Sequence, residues 1–297
     1  MTTTACPLLD DARSITDKAL DTYLPSADTA PVRLHQAMRH AVLAGGKRVR
    51  PALVLGACQA VDGDPKACIP AMAAVEFLHT YTLVHDDLPA MDDDDLRRGK
   101  PTVHVAFDEA TAILTGDALQ TLAFTCLSQL PAAAATACVH VLGTASGSIG
   151  VVGGQQDDLD SEQARGGACD DPAATLERIH RRKTAALIRA ACEMGAICGG
   201  AGKAHRSALA EFGEHVGLAF QIIDDLLDVS ADASTLGKTP GKDASVGKLT
   251  WMSVHGEAAA NTAAGEHTAA AYACLERFGE PATPLRSLAA MLLGRES

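Results

Sequence analysis

The chain has 297 residues, of which 47% are hydrophobic and only 3% aromatic, and its net charge is −12. That charge argues against nucleic acid or an anionic membrane surface as a partner. With so few rings, a core must be built from Ala, Leu, Val and Ile, which suits close-packed helices.

The elements follow in order. Residues 8–24 form a first helix closed by Pro25, and residues 32–43 a second, stopped by Gly45-Gly46. K-R-V-R-P (Lys47–Pro51) precedes an apolar helix over Ala52–Val61, and Asp62–Pro65 is a turn. Residues 67–88 form a largely apolar helix that Pro89 ends or kinks. Leu114–Leu130 is helical, and residues 132–152 are rich in Ala and Val. Gly153–Asp171 is polar, residues 173–200 form a long helix, residues 205–229 another, and Ser230–Lys248 a loop. Residues 250–293 give two weaker helices split near Gly279–Pro284. No convincing strand pattern, fixed repeat or low-complexity linker is present. The expectation is an all-α single domain, 1–297, which is large but feasible for one helical unit.

Nine cysteines form no CxxC pair, and the apolar settings of Cys58, Cys126, Cys138, Cys192 and Cys198 predict reduced thiols in a cytoplasmic protein. The N-terminus lacks a basic region followed by an apolar one, so no signal peptide is expected. No uninterrupted apolar run reaches bilayer-spanning length, so stable membrane insertion is not expected either.

Chemistry concentrates at Val84–Lys100, V-H-D-D-L-P-A-M-D-D-D-D-L-R-R-G-K. Six aspartates (Asp86, Asp87, Asp92, Asp93, Asp94 and Asp95) fall within ten positions at the end of an apolar helix. Carboxylates placed there repel one another and lose solvation unless a cation neutralises them. Oxygen-only ligands favour a hard ion, Mg²⁺ before Ca²⁺, and the alternating D-x-D-x-D-G pattern of a Ca²⁺ loop is absent. Asp86 and Asp92 are six apart, about 120° on an ideal helix; only a distorted or looped backbone lets both reach one site. Downstream, Q-I-I-D-D-L-L-D (Gln221–Asp228) puts Asp224 and Asp228 on one helix face. Two such clusters suggest facing walls of one cavity. Lys47, Arg50, Arg97, Arg98, Lys183, Lys238 and Lys248 recur beside the acidic sites and the glycine turns, as a polyanionic substrate bridged by metal would require. His79, two turns before Asp86, shares its face and is a further substrate-binding candidate. Neither G-x-x-x-x-G-K-[ST] nor G-x-G-x-x-G occurs, which speaks against a nucleotide.

At these residues the chain strongly resembles the trans-isoprenyl diphosphate synthases, and within them the bacterial farnesyl diphosphate synthases. The resemblance covers nearly all of residues 35–255. It is carried by G-G-K-R-V-R-P, D-D-L-P-A-M-D-D-D-D-L-R-R-G-K-P-T, G-D-A-L-Q-T-L-A-F, G-G-Q, R-I-H-R-R-K-T-A-A-L-I-R-A, G-L-A-F-Q-I-I-D-D-L-L-D, T-L-G-K-T-P-G-K-D and G-K-L-T. It implies helices around a deep cavity, a homodimer, and head-to-tail condensation of isopentenyl diphosphate with dimethylallyl and geranyl diphosphate. By motif, Asp86 and Asp92, with Asp87 in support, would hold Mg²⁺ from one side; Asp224 directly, and Asp228 through water, would hold it from the other. Three ions are implied with substrate bound. Lys47, Arg50, His79 and Arg98 would hold isopentenyl diphosphate. Arg97, Lys183, Gln221, Lys238 and Lys248 would hold the allylic diphosphate, and Thr184 and Gln221 would face the developing cation. Tyr81, about 7.5 Å along the helix from Asp86, would be the floor that limits chain length.

Asp157-Asp158 after G-G-Q, Trp251-Met252 and Met291 depart from the family pattern, as does the non-basic C-terminus L-G-R-E-S. Geranyl or geranylgeranyl diphosphate synthase is the nearest alternative. A terpene cyclase would not need the second diphosphate pocket. A non-catalytic partner subunit would typically lack one acidic motif, and both are intact here.

Overall fold

The structure, a computed structural model, describes residues 6–162, 170–230 and 248–294. Its helices in chain order are α1 (Pro7–Tyr23), α2 (Val32–Val42), α3 (Val49–Gln59), α4 (Ile69–Asp86), α5 (Val103–Ala106), α6 (Glu109–Leu127), α7 (Ala132–Ser146), α8 (Val151–Ser161), α9 (Pro172–Ile179), α10 (Ala186–Cys198), α11 (Lys203–Ser230), α12 (Trp251–His255), α13 (Glu257–Leu275) and α14 (Thr283–Leu293). The fold is all-α, the isoprenoid synthase class.

α4 is the central element, with 11 of its 18 residues buried. One continuous cluster of buried apolar side chains runs from Leu8 and Leu20 on α1 through α3, α4, α6, α10 and α11 to Leu288 on α14. It is mostly Leu, Ala, Val, Met and Cys, as the shortage of aromatics requires. Cys58, Cys126, Cys138 and Cys192 are buried as free thiols, and Cys198 is half-buried.

Several boundaries differ from the sequence expectation. Val49 and Arg50 open α3 instead of preceding it; Pro51 sits in its first turn, where an amide hydrogen has no intrahelical acceptor. The polar stretch after Gly153 is helical, because α8 turns Gly154 and Asp158 inward and its acids outward or onto cations. The preceding Ala/Val-rich segment breaks at Gly147–Gly150, and a Cβ on Gly150 would overlap the Ala145 carbonyl. Between α9 and α10 the chain widens into a π-helical stretch, His180–Ala185. A two-residue antiparallel hairpin, Leu96–Arg97 with Lys100–Pro101, turns through Arg98 and Gly99, both at positive φ. Two residues per strand leave no alternation to detect.

The expectation about membrane-spanning length also needs correcting. Segments Pro65–Asp86, Glu109–Leu127 and Ala132–Ser161 are each long and apolar enough to cross a bilayer by length and composition. Counting uninterrupted apolar runs misses them, since polar and charged residues such as Glu76, His79, Asp117 and His140 interrupt each run while its mean hydropathy stays high.

Candidate active site

Burial of α4 carries its C-terminal acids to the edge of the core. The helix stops at Asp86, and the loop folds back over its end. Asp92 N donates to Asp86 O (2.8 Å), Met91 N to Leu88 O (2.8 Å), Asp93 N to Leu88 O (3.1 Å) and Asp94 N to Asp87 O (3.2 Å). Asp93 takes a left-handed φ of 51° to allow this. The looped backbone expected from the six-residue spacing is thus present, with Asp92 drawn back toward Asp86. Burial pushes the Asp86 carboxyl up to about 6; Lys183 opposes the shift, and Asp92 adds to it. Asp87 is buried and salt-bridged to Arg97 (2.5 Å), which also reaches Asp94 (3.5 Å).

Two segments span from this acidic end to the second one. In the first, Lys183 Nζ pairs with Asp158 (2.6 Å), and its charge is favoured by Asp158 and then Asp86 against the cost of burial. The next residue, Thr184, donates from Oγ1 to Gln221 Oε1 (2.9 Å) on α11. In the second, Lys248 Nζ lies 3.8 Å from Asp92 Oδ1, while Trp251 N donates to Asp225 Oδ2 (2.8 Å). Lys183 and Lys248 therefore meet beside Asp86 and Asp92, and their neighbours grip α11 around Asp224. Asp225 is fixed further by Gln221 Nε2 (3.1 Å) and His180 (3.5 Å), and burial pushes its carboxyl up to about 6. Asp224 and Asp228 lie on the same helix, half-buried and exposed respectively.

Close approach makes this possible. A Cβ on Gly217 would lie 2.6 Å from Ala185 Cα, and one on Gly154 would overlap Lys183 N. Gly154→Ala is therefore expected to displace the 180–185 segment, costing about 1–3 kcal/mol of stability. A urea melt and a turnover assay should both show losses; unchanged behaviour in both would contradict the close packing.

Behind the acids lies a basic cluster. Arg50, His79 and Arg98 converge: burial first, and then Arg50, Arg98, Arg97 and Arg48, hold His79 well below its usual range, so it is a neutral imidazole. Arg50 Nε is buried with no hydrogen-bond partner, an unsatisfied donor suited to an anion. Arg98 donates to Gly45 O and lies against Gly46, where a Cβ would come within 2.6 Å of Nη1. Lys47 is exposed on the loop before α3. Lys238 lies outside the described residues.

The donor set fits a hard divalent cation. Asp86 is a half-buried carboxylate beside Asp92, with oxygen ligands only. Among the described residues no three His, Cys, Asp or Glu side chains converge into a site complete in itself. An ion here would complete its shell with water and phosphate oxygens, the usual habit of Mg²⁺.

Sequence reasoning did not assign Arg48, Gln155 or Asp158. Arg48 is buried against Glu76 and Asp17. Gln155 Nε2 is buried and unpartnered three residues from Asp158. The G-G-Q-Q-D-D spacing would have revealed both Gln155 and Asp158 had the segment been read as a helix. The unusual Asp157 binds Arg178 (3.1 Å) and Arg182 (3.0 Å), and Trp251 also donates to His180 (3.2 Å).

The polyprenyl synthetase family profile matches residues 31–281. The chain is 46% identical over 239 residues to a farnesyl diphosphate synthase of Escherichia coli K12, covering 78% of this chain and 77% of that one. It is 44% identical over 248 residues to the large subunit 1 of a heterodimeric geranylgeranyl pyrophosphate synthase of Arabidopsis thaliana, covering 82% of this chain and 66% of that protein. The chain thus spans about two thirds of the length of such plant relatives. Among solved structures, an FPP/GFPP synthase from Zymomonas mobilis superposes with a TM-score of 0.84 at 39% identity, covering 95% of this chain and 96% of that one.

Proposed function

The chain belongs to the polyprenyl synthetase family, and on that premise we propose that it is a prenyltransferase that condenses isopentenyl diphosphate with dimethylallyl and then geranyl diphosphate to give farnesyl diphosphate. The observation that carries this reading is the pair of spanning segments. Lys183 and Lys248 stand beside the first acidic cluster, while Thr184 and Trp251 engage the helix of the second.

Asp86 and Asp92 on one wall, with Asp87 in support, and Asp224 and Asp228 on the other would hold magnesium, three ions in the loaded enzyme. When bound, magnesium neutralises the leaving diphosphate as its C–O bond ionises. Lys183, Lys248 and Lys238 would place further positive charge on that leaving group, with Arg97 behind them once it is released from Asp87. The Thr184 and Gln221 oxygens would face the allylic cation, as fixed dipoles that need no reorganisation. Arg50, Arg98, Lys47 and neutral His79 would hold isopentenyl diphosphate, whose double bond attacks the cation; the released diphosphate would take the proton. Apolar walls around the allylic chain would keep water from quenching the cation.

Tyr81 supports a farnesyl product. It is 5% exposed on α4, edge-on to His85 at 5.6 Å, and burial pushes its hydroxyl up to about 12. A neutral, fixed ring one turn and a half below Asp86 would stop the chain. Tyr81→Ala is expected to shift products to longer alcohols; an unchanged chain-length distribution would remove the floor role. The geranylgeranyl relatives make that length the second reading.

The defining experiment incubates the purified protein with isopentenyl diphosphate, Mg²⁺ and either dimethylallyl or geranyl diphosphate, followed by chromatography of the dephosphorylated alcohols. Absence of any condensation product would sink the proposal. A second copy of the chain is the proposed partner. Ile113 (46% exposed), Leu114 (55%), Ile149 (68%) and Val152 (45%) on or beside α6 and α8 supply apolar surface for it. Light scattering should give a dimer mass.

A further inference from the structure

α11 and α13 pack along each other, and a polar contact interrupts their apolar seam. His215 on α11 and His267 on α13 are both half-buried, with ring centroids 5.2 Å apart and planes tilted by 38°. Their Nδ1 atoms lie 3.0 Å apart, although the residues are 52 positions apart in the chain. The prenyl-transfer chemistry uses neither ring. His215 stands nine residues before Asp224 on α11, and nine residues are about 13.5 Å along a helix.

Two facing imidazole nitrogens can do one of two things. They can share a hydrogen, one Nδ1 donating to the other, or both can offer lone pairs to one metal ion. Imidazole nitrogens bind such an ion at about 2.0–2.1 Å, and an angle of about 90–109° at the metal then sets them about 2.8–3.4 Å apart. The 3.0 Å separation already meets that bite. Burial first, then His215 and Arg181, hold the His267 ring below the usual imidazole range, so it is neutral, the form that ligates.

The surroundings favour a cation. Glu266 and Glu177 act on His267 in that direction, and Glu214 directly precedes His215. Arg181 opposes them, but it is salt-bridged to Glu177 (2.9 Å) and to Glu214, and Arg189 also reaches Glu214 (3.5 Å). Three carboxylates thus stand against two guanidiniums.

We propose that His215 and His267 form a clip for a borderline divalent transition ion of the Zn²⁺, Ni²⁺ or Cu²⁺ kind, joining α11 to α13 through both Nδ1 atoms. Water completes the shell. The ion takes the place of the shared hydrogen, which moves to Nε2 of the same ring, so both rings stay neutral. Nitrogen donors set this site apart from the carboxylate site, whose oxygen ligands suit Mg²⁺. The clip does not depend on the proposed prenyl transfer.

The test titrates the full chain with Ni²⁺ by calorimetry, in buffer containing millimolar Mg²⁺. One Ni²⁺ per chain is expected, undisplaced by Mg²⁺. His215→Gln and His267→Gln should each weaken it by about tenfold or more, the loss that follows removal of even a hydrogen-bond partner of a metal ligand. Ni²⁺ should raise the thermal midpoint of the parent but not of either variant, because a lone imidazole binds metal in the unfolded chain too. Absence of stoichiometric binding, or binding undiminished by either substitution, would overturn the clip. A second measurement needs no variant. With Zn²⁺, long-range ¹H–¹⁵N spectra of the parent should show two of its eleven histidines ligating through Nδ1. Ligation by a single ring, or through Nε2, would overturn the clip as well. A chain that binds the ion in this way but forms no prenyl product would refute the proposed function and leave the clip standing.

Discussion

Asp86→Ala is expected to lower kcat/KM for condensation by about 10³-fold or more, equivalent to roughly 4 kcal/mol of lost transition-state stabilisation. The fold should not suffer. Burial already raises the Asp86 carboxyl to about 6, with Asp92 and Asp87 adding repulsion. Without a cation this carboxylate is a cost to the folded state, so its removal should leave the thermal midpoint unchanged or higher. A general structural role predicts the opposite pairing, with stability and activity falling together. Steady-state kinetics and thermal melts with and without Mg²⁺ distinguish the two. The parent should gain stability from Mg²⁺ plus diphosphate, and the variant should gain much less. Activity within tenfold of the parent would remove Asp86 from the machinery.

The largest expected loss of stability lies at a different residue, Arg48→Met. Arg48 and Glu76 have side chains 1% and 2% exposed and are joined at 2.7 Å; Arg48 also donates to Asp17 (2.8 Å) and to Val42 O (2.9 Å). Removing one partner strands the other charge in the core of α4, at a cost of about 3–5 kcal/mol. Urea unfolding should show a reduced midpoint. The double variant Arg48→Met/Glu76→Leu should recover much of the loss, because the pair's desolvation cost disappears with it. If both single variants unfold like the parent, the pair contributes nothing. Lys47 and Arg50 flank Arg48, so the same experiment should show weaker isopentenyl diphosphate binding in the single variant and partial rescue in the double.

Some of this was legible in the chain. The all-α class followed from apolar periodicity without strand alternation. The end of α4 followed from Pro89, and the return of Asp92 toward Asp86 from a spacing that no straight helix could satisfy. The pairing of Thr184 with Gln221 was not legible, nor was that of Lys183 with Asp158. Those contacts join residues 37 and 25 positions apart, and they exist because Gly154 and Gly217 let backbones approach closely. Arg48 was overlooked for a related reason. In K-R-V-R it looks like its neighbours, and only packing decides that it points into the core while Lys47 points out.

The sequence by itself determined the chemistry available. It holds two carboxylate clusters at helical spacing, basic residues beside them and a core poor in rings, all of which are local properties set by residue type and period. The tertiary structure alone decided which partner each carboxylate meets. Asp87, Asp157, Asp158 and Asp225 are engaged by Arg97, Arg178 and Arg182, Lys183, and Trp251 respectively. The reason is geometric: neighbouring residues on a helix point about 100° apart, so Asp86 and Asp87, identical in type, meet different surroundings once α4 is packed.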